Sequence, residues 1–187
     1  PNMLFIKNNL IFATLTTHIR LKDITKHLSS KKYIYNKIFH INKTLINDFG
    51  IKNPKIIIAG INPHAGENNC IGNEETVFLK PVIKKLIENN INIYGPYSGD
   101  SVLTKKNMKN YNCFIFNYHD QALIPFKMIS NNTGINYTSG LSIIRVSPDH
   151  GTAYDIVGKK IGNIKGLINC VNLIKKIYKN RKNIANS

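Results

Sequence analysis

The segment Lys55–Ala59, KIIIA, is a short and almost unbroken apolar run that stops at Gly60. A run this short, β-branched and without polar alternation, reads as a strand covered on both faces, as in a parallel sheet. A second run of this kind is CFIFN, Cys113 to Asn117. Around these lie stretches with helical spacing. From Leu21 through His40 to Phe49, the residues Ile34, Ile38, Ile41 and Leu45 share one helix face, and Gly50 and Pro54 close it. Glu74 and Glu75 open another helix toward Asn89, with carboxylates at the positive end of its dipole and Pro81 marking a kink or a late start. Leu10 to Thr17, Ile91 to Tyr94, Ile135 to Thr138 and Ile143 to Val146 read as further strands. Asn163 to Tyr178 reads as a final helix, and the Lys/Asn tail beyond it is expected to fray. This alternation predicts an α/β fold, a largely parallel sheet with right-handed crossovers and helices on both faces.

The 187 residues suffice for one sizeable domain, or a domain and an appendage. A formal charge of +16 points toward nucleic acid or another anionic surface. Against that, the lysines are scattered rather than gathered, and Lys, Asn and Ile are abundant together, as AT-rich coding produces. The chain offers no recognition helix, zinc finger or aromatic stacking platform, so no nucleic-acid partner is expected. Cys70, Cys113 and Cys170 form no CxxC pair, which argues against structural zinc or a disulfide framework and suits a reducing, cytoplasmic setting. No run approaches the roughly 20 apolar residues of a membrane span. The first residue is Pro1 rather than Met, and the expectation is a chain that begins in mid-protein.

In open α/β sheets, ligands bind beyond the carboxyl ends of the strands. His18, in TTH, follows the strand that starts at Leu10; His64 follows the strand ending at Ala59; His119, in NYHDQ, follows the strand CFIFN. Three histidines thus occupy equivalent positions on three strands and could share one sheet edge. Neutral imidazole is a common ligand for divalent metals, and three histidines with an open position make a catalytic site. Asp120 could be a ligand or could orient His119. Each histidine taken alone is better explained by a hydrogen-bonded loop role; their shared placement brings joint metal ligation level with it. Downstream, Lys127 and Arg145 are cations near strand ends and Asn136 offers an amide, groups suited to a phosphate or carboxylate, although spacing alone favours reading the two cations as members of the chain's many scattered basic residues. Asp149, His150 and Gly151, in DHGTA, precede a short predicted helix and could form its cap or a loop that contacts a nucleotide.

Read in order, TTH, GINPHAGE…GNEE, GPYSGD, YHDQ and IRVSPDHGTA closely resemble the 4-hydroxythreonine-4-phosphate dehydrogenases of vitamin B6 biosynthesis. The resemblance runs from about Leu10 to Tyr178. It implies a fold like that of the isocitrate and isopropylmalate dehydrogenases, and a homodimer with its active site at the interface. It also implies a divalent metal (zinc, magnesium or cobalt) held by His18, His64 and His119, two from one subunit and the third from its neighbour. Lys127, Asn136 and Arg145 would bind substrate. Asp100 and Asp120 are the candidates for proton handling or metal support. Asp149, His150 and Gly151 are the candidates for contact with NAD or NADP. The implied reaction oxidises 4-phosphohydroxy-L-threonine and releases carbon dioxide, giving 3-amino-2-oxopropyl phosphate.

The sequence departs from the family pattern in places. Ala122 stands where glycine is usual after YHDQ, NNTG replaces a Phe-Gly pair, and Ser142 follows GL in place of proline; Pro148 is also unusual. The match covers only the family's C-terminal portion, without its N-terminal His-Thr pair. The expected division is a metal- and substrate-binding domain over 1–160, and a helix and tail over 161–187 that pack on an N-terminal domain. The competing reading is a non-catalytic remnant that still binds a divalent metal.

Overall fold

The computed structural model describes residues 1–151, 154, 157–159 and 161–186. Seven strands form one sheet: β1 (Asn2–Lys7), β2 (Leu10–Thr14), β3 (Ile56–Ala59), β4 (Ile93–Tyr97), β5 (Cys113–Phe116), β6 (Ile135–Ser139) and β7 (Arg145–Pro148). The helices are α1 (Ile24–Leu28), α2 (Lys31–Asn47), α3 (Lys80–Glu88), α4 (Lys105–Asn110), α5 (His119–Ser130) and α6 (Lys165–Ala185). The strand order is β4-β3-β5-β2-β1-β6-β7. Neighbours from β4 to β2 pair in parallel, whereas β1, β6 and β7 join antiparallel. All strands except β1 and β7 therefore point the same way, and the sheet is mixed but mostly parallel.

Strand alternation sorts the core into two layers. Leu4, Ile6, Ile11, Ala13, Ile56, Ile58, Cys113 and Ile115 face one side, where α2, α3 and α6 cover them. Phe5, Phe12, Ile57, Ala59, Phe114 and Phe116 face the other, where Leu123 and Phe126 of α5 cover them. The second layer is aromatic: Phe126 lies against Phe5 and Phe12, with ring centroids 5.7 and 5.5 Å apart. Helices on both faces are what the uninterrupted strands of the sequence required.

Several sequence expectations are corrected. The long helix from Leu21 is broken: Leu21–Asp23 is a 3₁₀ turn, and α1 ends before Ser29-Ser30. Ser29 Oγ donates to the Lys26 carbonyl and Ser30 Oγ caps α2 by accepting the Tyr33 N–H, the hydroxyl chemistry that ends one helix and starts another. The late start expected at Pro81 is observed, since α3 opens at Lys80 with Pro81 in its first turn, directly after a wide π turn at Glu75–Leu79. The strand expected at Ile143 lies two residues later, as edge strand β7, where the terminal Pro148 is tolerated. The sequence pattern predicts neither β1 nor α4.

The tail does not fray at Tyr178. Helix α6 continues to Ala185 because Arg181 is anchored. Its Nε and Nη2 donate to Asp48 Oδ1 and Oδ2 at 2.7 and 3.2 Å, and its Nη1 donates to the Leu141 and Ser142 carbonyls. The buried Tyr137 hydroxyl donates to Asp48 in turn. Burial, followed by that carboxylate, pushes the Tyr137 phenol's pKa upward. Gly166, Cys170, Leu173 and Ile177 bury one face of α6, while Leu167, Ile168, Val171 and Tyr178 remain exposed on another.

Candidate active site

Strands β3, β5 and β2 are adjacent and parallel, so their carboxyl ends line one edge of the sheet. His64, His119 and His18 follow these three ends. Because β5 lies between the other two, His119 is the central member. The His18 and His119 rings lie with centroids 5.6 Å apart above a hollow of about 190 Å³ that Thr16, Thr17 and Asp120 help to line. His119 is the first residue of α5, and its Nδ1 lies 2.7 Å from Asp120 Oδ1. A carboxylate at Nδ1 fixes the proton there and leaves the Nε2 lone pair free, the arrangement that orients a metal-binding imidazole.

His64 opens onto the next hollow, of about 320 Å³, together with Ser98, Asp100 and Gln121; Tyr118 borders both hollows. Ser98 Oγ donates to Asp100 Oδ1. That hydrogen bond first, and the field of His64 in smaller part, hold the Asp100 carboxyl below its ordinary pKa. Among the described residues no three His, Cys, Asp or Glu side chains gather closely enough to hold a metal. The chain by itself brings His18 and His119 together and sets His64 alongside. The donors present are imidazoles, which suit zinc or cobalt better than the oxygen-seeking magnesium.

The loop that bears His64 has an unusual backbone. From His64 through Asn69 every residue has positive φ, with His64 at 51° and Ala65 at 52°. L-residues other than glycine disfavour this region by about 1–2 kcal/mol each. His18, at φ 47°, shares it. Strain of this kind gathers at functional sites.

A polar network beneath the edge holds these loops, and the sequence reading missed it. Asn117, fully buried, donates through Nδ2 to the Ala59 and Gly60 carbonyls at 2.9 and 2.8 Å. Gln121 Nε2 donates to Gly60 O at 2.9 Å, and its Oε1 accepts the Asn117 N–H. The ends of β3 and β5 are thereby tied together. The available signal was Asn117 itself, an amide closing an otherwise apolar strand, which burial obliges to find partners. The sequence reads Glu75 as a dipole-facing helix residue, but its carboxylate is buried against the His64 loop.

The substrate candidates lie on the aromatic side of the sheet. Asn136 pairs directly with Phe5, whose ring meets Phe126 of α5, so both share that face. Arg145 pairs with Thr138, two residues along β6, and its Nη1 donates to Thr138 Oγ1 at 2.8 Å, on the same face again. Lys127, in the last turn of α5, lies 3.5 Å from Asp149 Oδ1. Among the described residues, the buried Asn136 Oδ1 and Asp149 Oδ2 have no hydrogen-bond partner. Asp149 thus engages Lys127, one candidate contacting another. His150 Nδ1 lies 3.0 Å from the Gly151 carbonyl oxygen, and both residues border a cavity of about 590 Å³ with Pro148, Ile164 and Leu167. Thr152 and Ala153, the end of DHGTA, lie outside the described residues.

Comparison with known proteins identifies the family and the fold. The family described as pyridoxal phosphate biosynthetic protein PdxA matches residues 1–174. A 4-hydroxythreonine-4-phosphate dehydrogenase of Bacteroides thetaiotaomicron is 36% identical over 180 residues, covering 96% of this chain and 49% of that protein. One from a Sulfurihydrogenibium species is 41% identical over 180 residues, covering 96% of this chain and 55% of its own length. The crystal structure of the Klebsiella pneumoniae 4-hydroxythreonine-4-phosphate dehydrogenase superposes with a TM-score of 0.81 at 32% identity, covering 94% of this chain and 53% of that one. The fold is the isocitrate/isopropylmalate dehydrogenase-like one of these enzymes. The chain spans about half the length of the relatives it matches. By sequence and by fold, the chain belongs to the PdxA family of 4-hydroxythreonine-4-phosphate dehydrogenases.

Proposed function

We propose that this chain is the metal- and substrate-binding half of a dehydrogenase of pyridoxal phosphate biosynthesis. Its reaction oxidises 4-phosphohydroxy-L-threonine with NAD or NADP and releases carbon dioxide, leaving 3-amino-2-oxopropyl phosphate. The observation that carries this reading is the row of His18, His119 and His64 beyond three adjacent parallel strands, in a chain of this family. His18, His64 and His119 would hold a divalent cation, which supplies Lewis acidity toward the substrate hydroxyl. The nicotinamide, near Asp149, His150 and Gly151, would accept the hydride. One of the three imidazoles would come from a second copy, in a homodimer whose site lies at the interface.

The chain's own residues do the rest. Lys127 and Arg145 neutralise the phosphate end of the substrate, and Asn136 donates its amide, so that remote binding energy becomes alignment at the reacting carbon. Asp120 keeps the proton of His119 on Nδ1. Asp100, held ionised by Ser98, would accept the hydroxyl proton. A reducing, cytoplasmic setting suits the three free cysteines. Absorbance at 340 nm tests the proposal: the purified gene product, given 4-phosphohydroxythreonine, zinc or cobalt and either nicotinamide, should form reduced cofactor. No signal with any metal and either nicotinamide refutes it. Calorimetric binding of zinc without turnover would favour the non-catalytic remnant.

A further inference from the structure

The left-handed turn from His64 to Asn69 persists only if its surroundings over-determine it. The main contact is one carboxylate. Glu75 is 1% exposed. Its Oε1 accepts the backbone N–H groups of Ile61 and Asn62, both at 2.7 Å, and its Oε2 accepts the Asn62 side-chain amide at 3.0 Å. Asn62 Nδ2 also donates to Glu74 Oε2 at 2.7 Å. Among the described residues no cation pairs with Glu75. All its hydrogen bonds go to the loop.

The middle of the turn leans on the same group. A Cβ on Gly66 would stand 2.9 Å from Glu75 Oε2 and 2.7 Å from the Gly72 carbonyl oxygen. One on Gly60 would stand 3.2 Å from Oε1 and 2.9 Å from Ala65. The carboxylate therefore grips the entrance of the loop by hydrogen bonds and its centre by close packing, with His64 between the two. We infer that Glu75 is a positioning residue, whose buried carboxylate locks the left-handed turn and thereby aims the His64 imidazole. This rests on the reading of His64 as a metal ligand.

The test uses the whole chain with two substitutions. Glu75→Gln keeps the volume; its carbonyl can still accept the two backbone N–H groups, but its NH₂ then opposes the Asn62 amide. Gly66→Ala drives a methyl group against the carboxylate while leaving Glu75 in place. In the metal-free protein, hydrogen exchange at residues 61–72 should accelerate at least tenfold in both variants, with the remaining amides unchanged. Cobalt affinity should fall at least tenfold in both, and His64→Ala should add no further loss to Glu75→Gln. Wild-type exchange through 61–72 in a folded Glu75→Gln protein overturns the inference. If that variant does not fold, unchanged exchange and cobalt affinity in Gly66→Ala overturn it instead. Wild-type cobalt affinity in His64→Ala overturns the ligand role of His64, and the exchange measurement then still decides whether Glu75 holds the turn.

Discussion

Replacing Arg181 by alanine should cost about 3 kcal/mol of stability. Removing one partner of a buried ion pair costs about 3–5 kcal/mol, because the other charge is left desolvated and alone. Here the stranded group is Asp48, whose side chain is 7% exposed, against 27% for Arg181. Water can enter where the guanidinium leaves, which places the loss at the lower end of that range. The Leu141 and Ser142 carbonyls and the Tyr137 hydroxyl lose a donor at the same time. In a protein of this size about 3 kcal/mol corresponds to roughly 6–12 °C in Tm. A circular-dichroism melt at fixed protein concentration reads the shift, with Lys182→Ala as an exposed control in the same helical turn. The double variant Asp48→Asn, Arg181→Met should recover part of the loss, because no unpaired charge remains. A melt of Arg181→Ala within about 2 °C of wild type would refute the view that this pair holds α6 in place.

Two other outcomes follow from burial. Lys37 donates to the Leu15 carbonyl at 2.6 Å, and burial lowers its pKa from 10.5 to about 8. The unfolded chain then binds more protons than the folded one between those values, so stability should rise as pH climbs from about 8 to 10.5. Lys37→Met should flatten that rise by about 1–2 kcal/mol, allowing for solvent screening, in urea midpoints compared across pH. Cys70 is exposed, whereas Cys113 and Cys170 are buried with thiols pushed up by desolvation. Native iodoacetamide treatment should therefore add one label by mass, at Cys70, and denatured treatment three.

The parts of the fold legible in the sequence were those where one periodicity dominates. KIIIA and CFIFN read correctly because a strand buried on both faces leaves no polar alternation. Strand β1 is not read from the sequence, because the strand pattern is recognised only from Leu10 and MLFIK before it is left unassigned. The separating Asn8-Asn9, with Asn8 at φ 54°, is the two-residue turn of a hairpin that pairs Lys7 with Leu10. The tail after Tyr178 looked like a frayed Lys/Asn stretch because Arg181 is one cation among many in composition. Only its distant partner, Asp48, distinguishes it. For the site, positions after strands were enough to nominate His18, His64 and His119, since topology carries them to one edge. The distances between them were not legible, because they depend on the order β3-β5-β2, which no local pattern encodes. Glu75 and Asn117 act through backbone groups of other segments, and a pattern read along the chain does not reveal such partners.

The His64 turn has a further consequence, one of chirality. From His64 to Asn69 the chain follows a path natural to D-amino acids, a short mirror-image insert in an otherwise L-handed molecule. Among the genetically encoded residues only glycine enters such a path without penalty, and Gly66 supplies it at a single position. The remaining five residues hold a shape that their own stereochemistry resists, so the stiffness of this segment is borrowed from its neighbours rather than inherent to it.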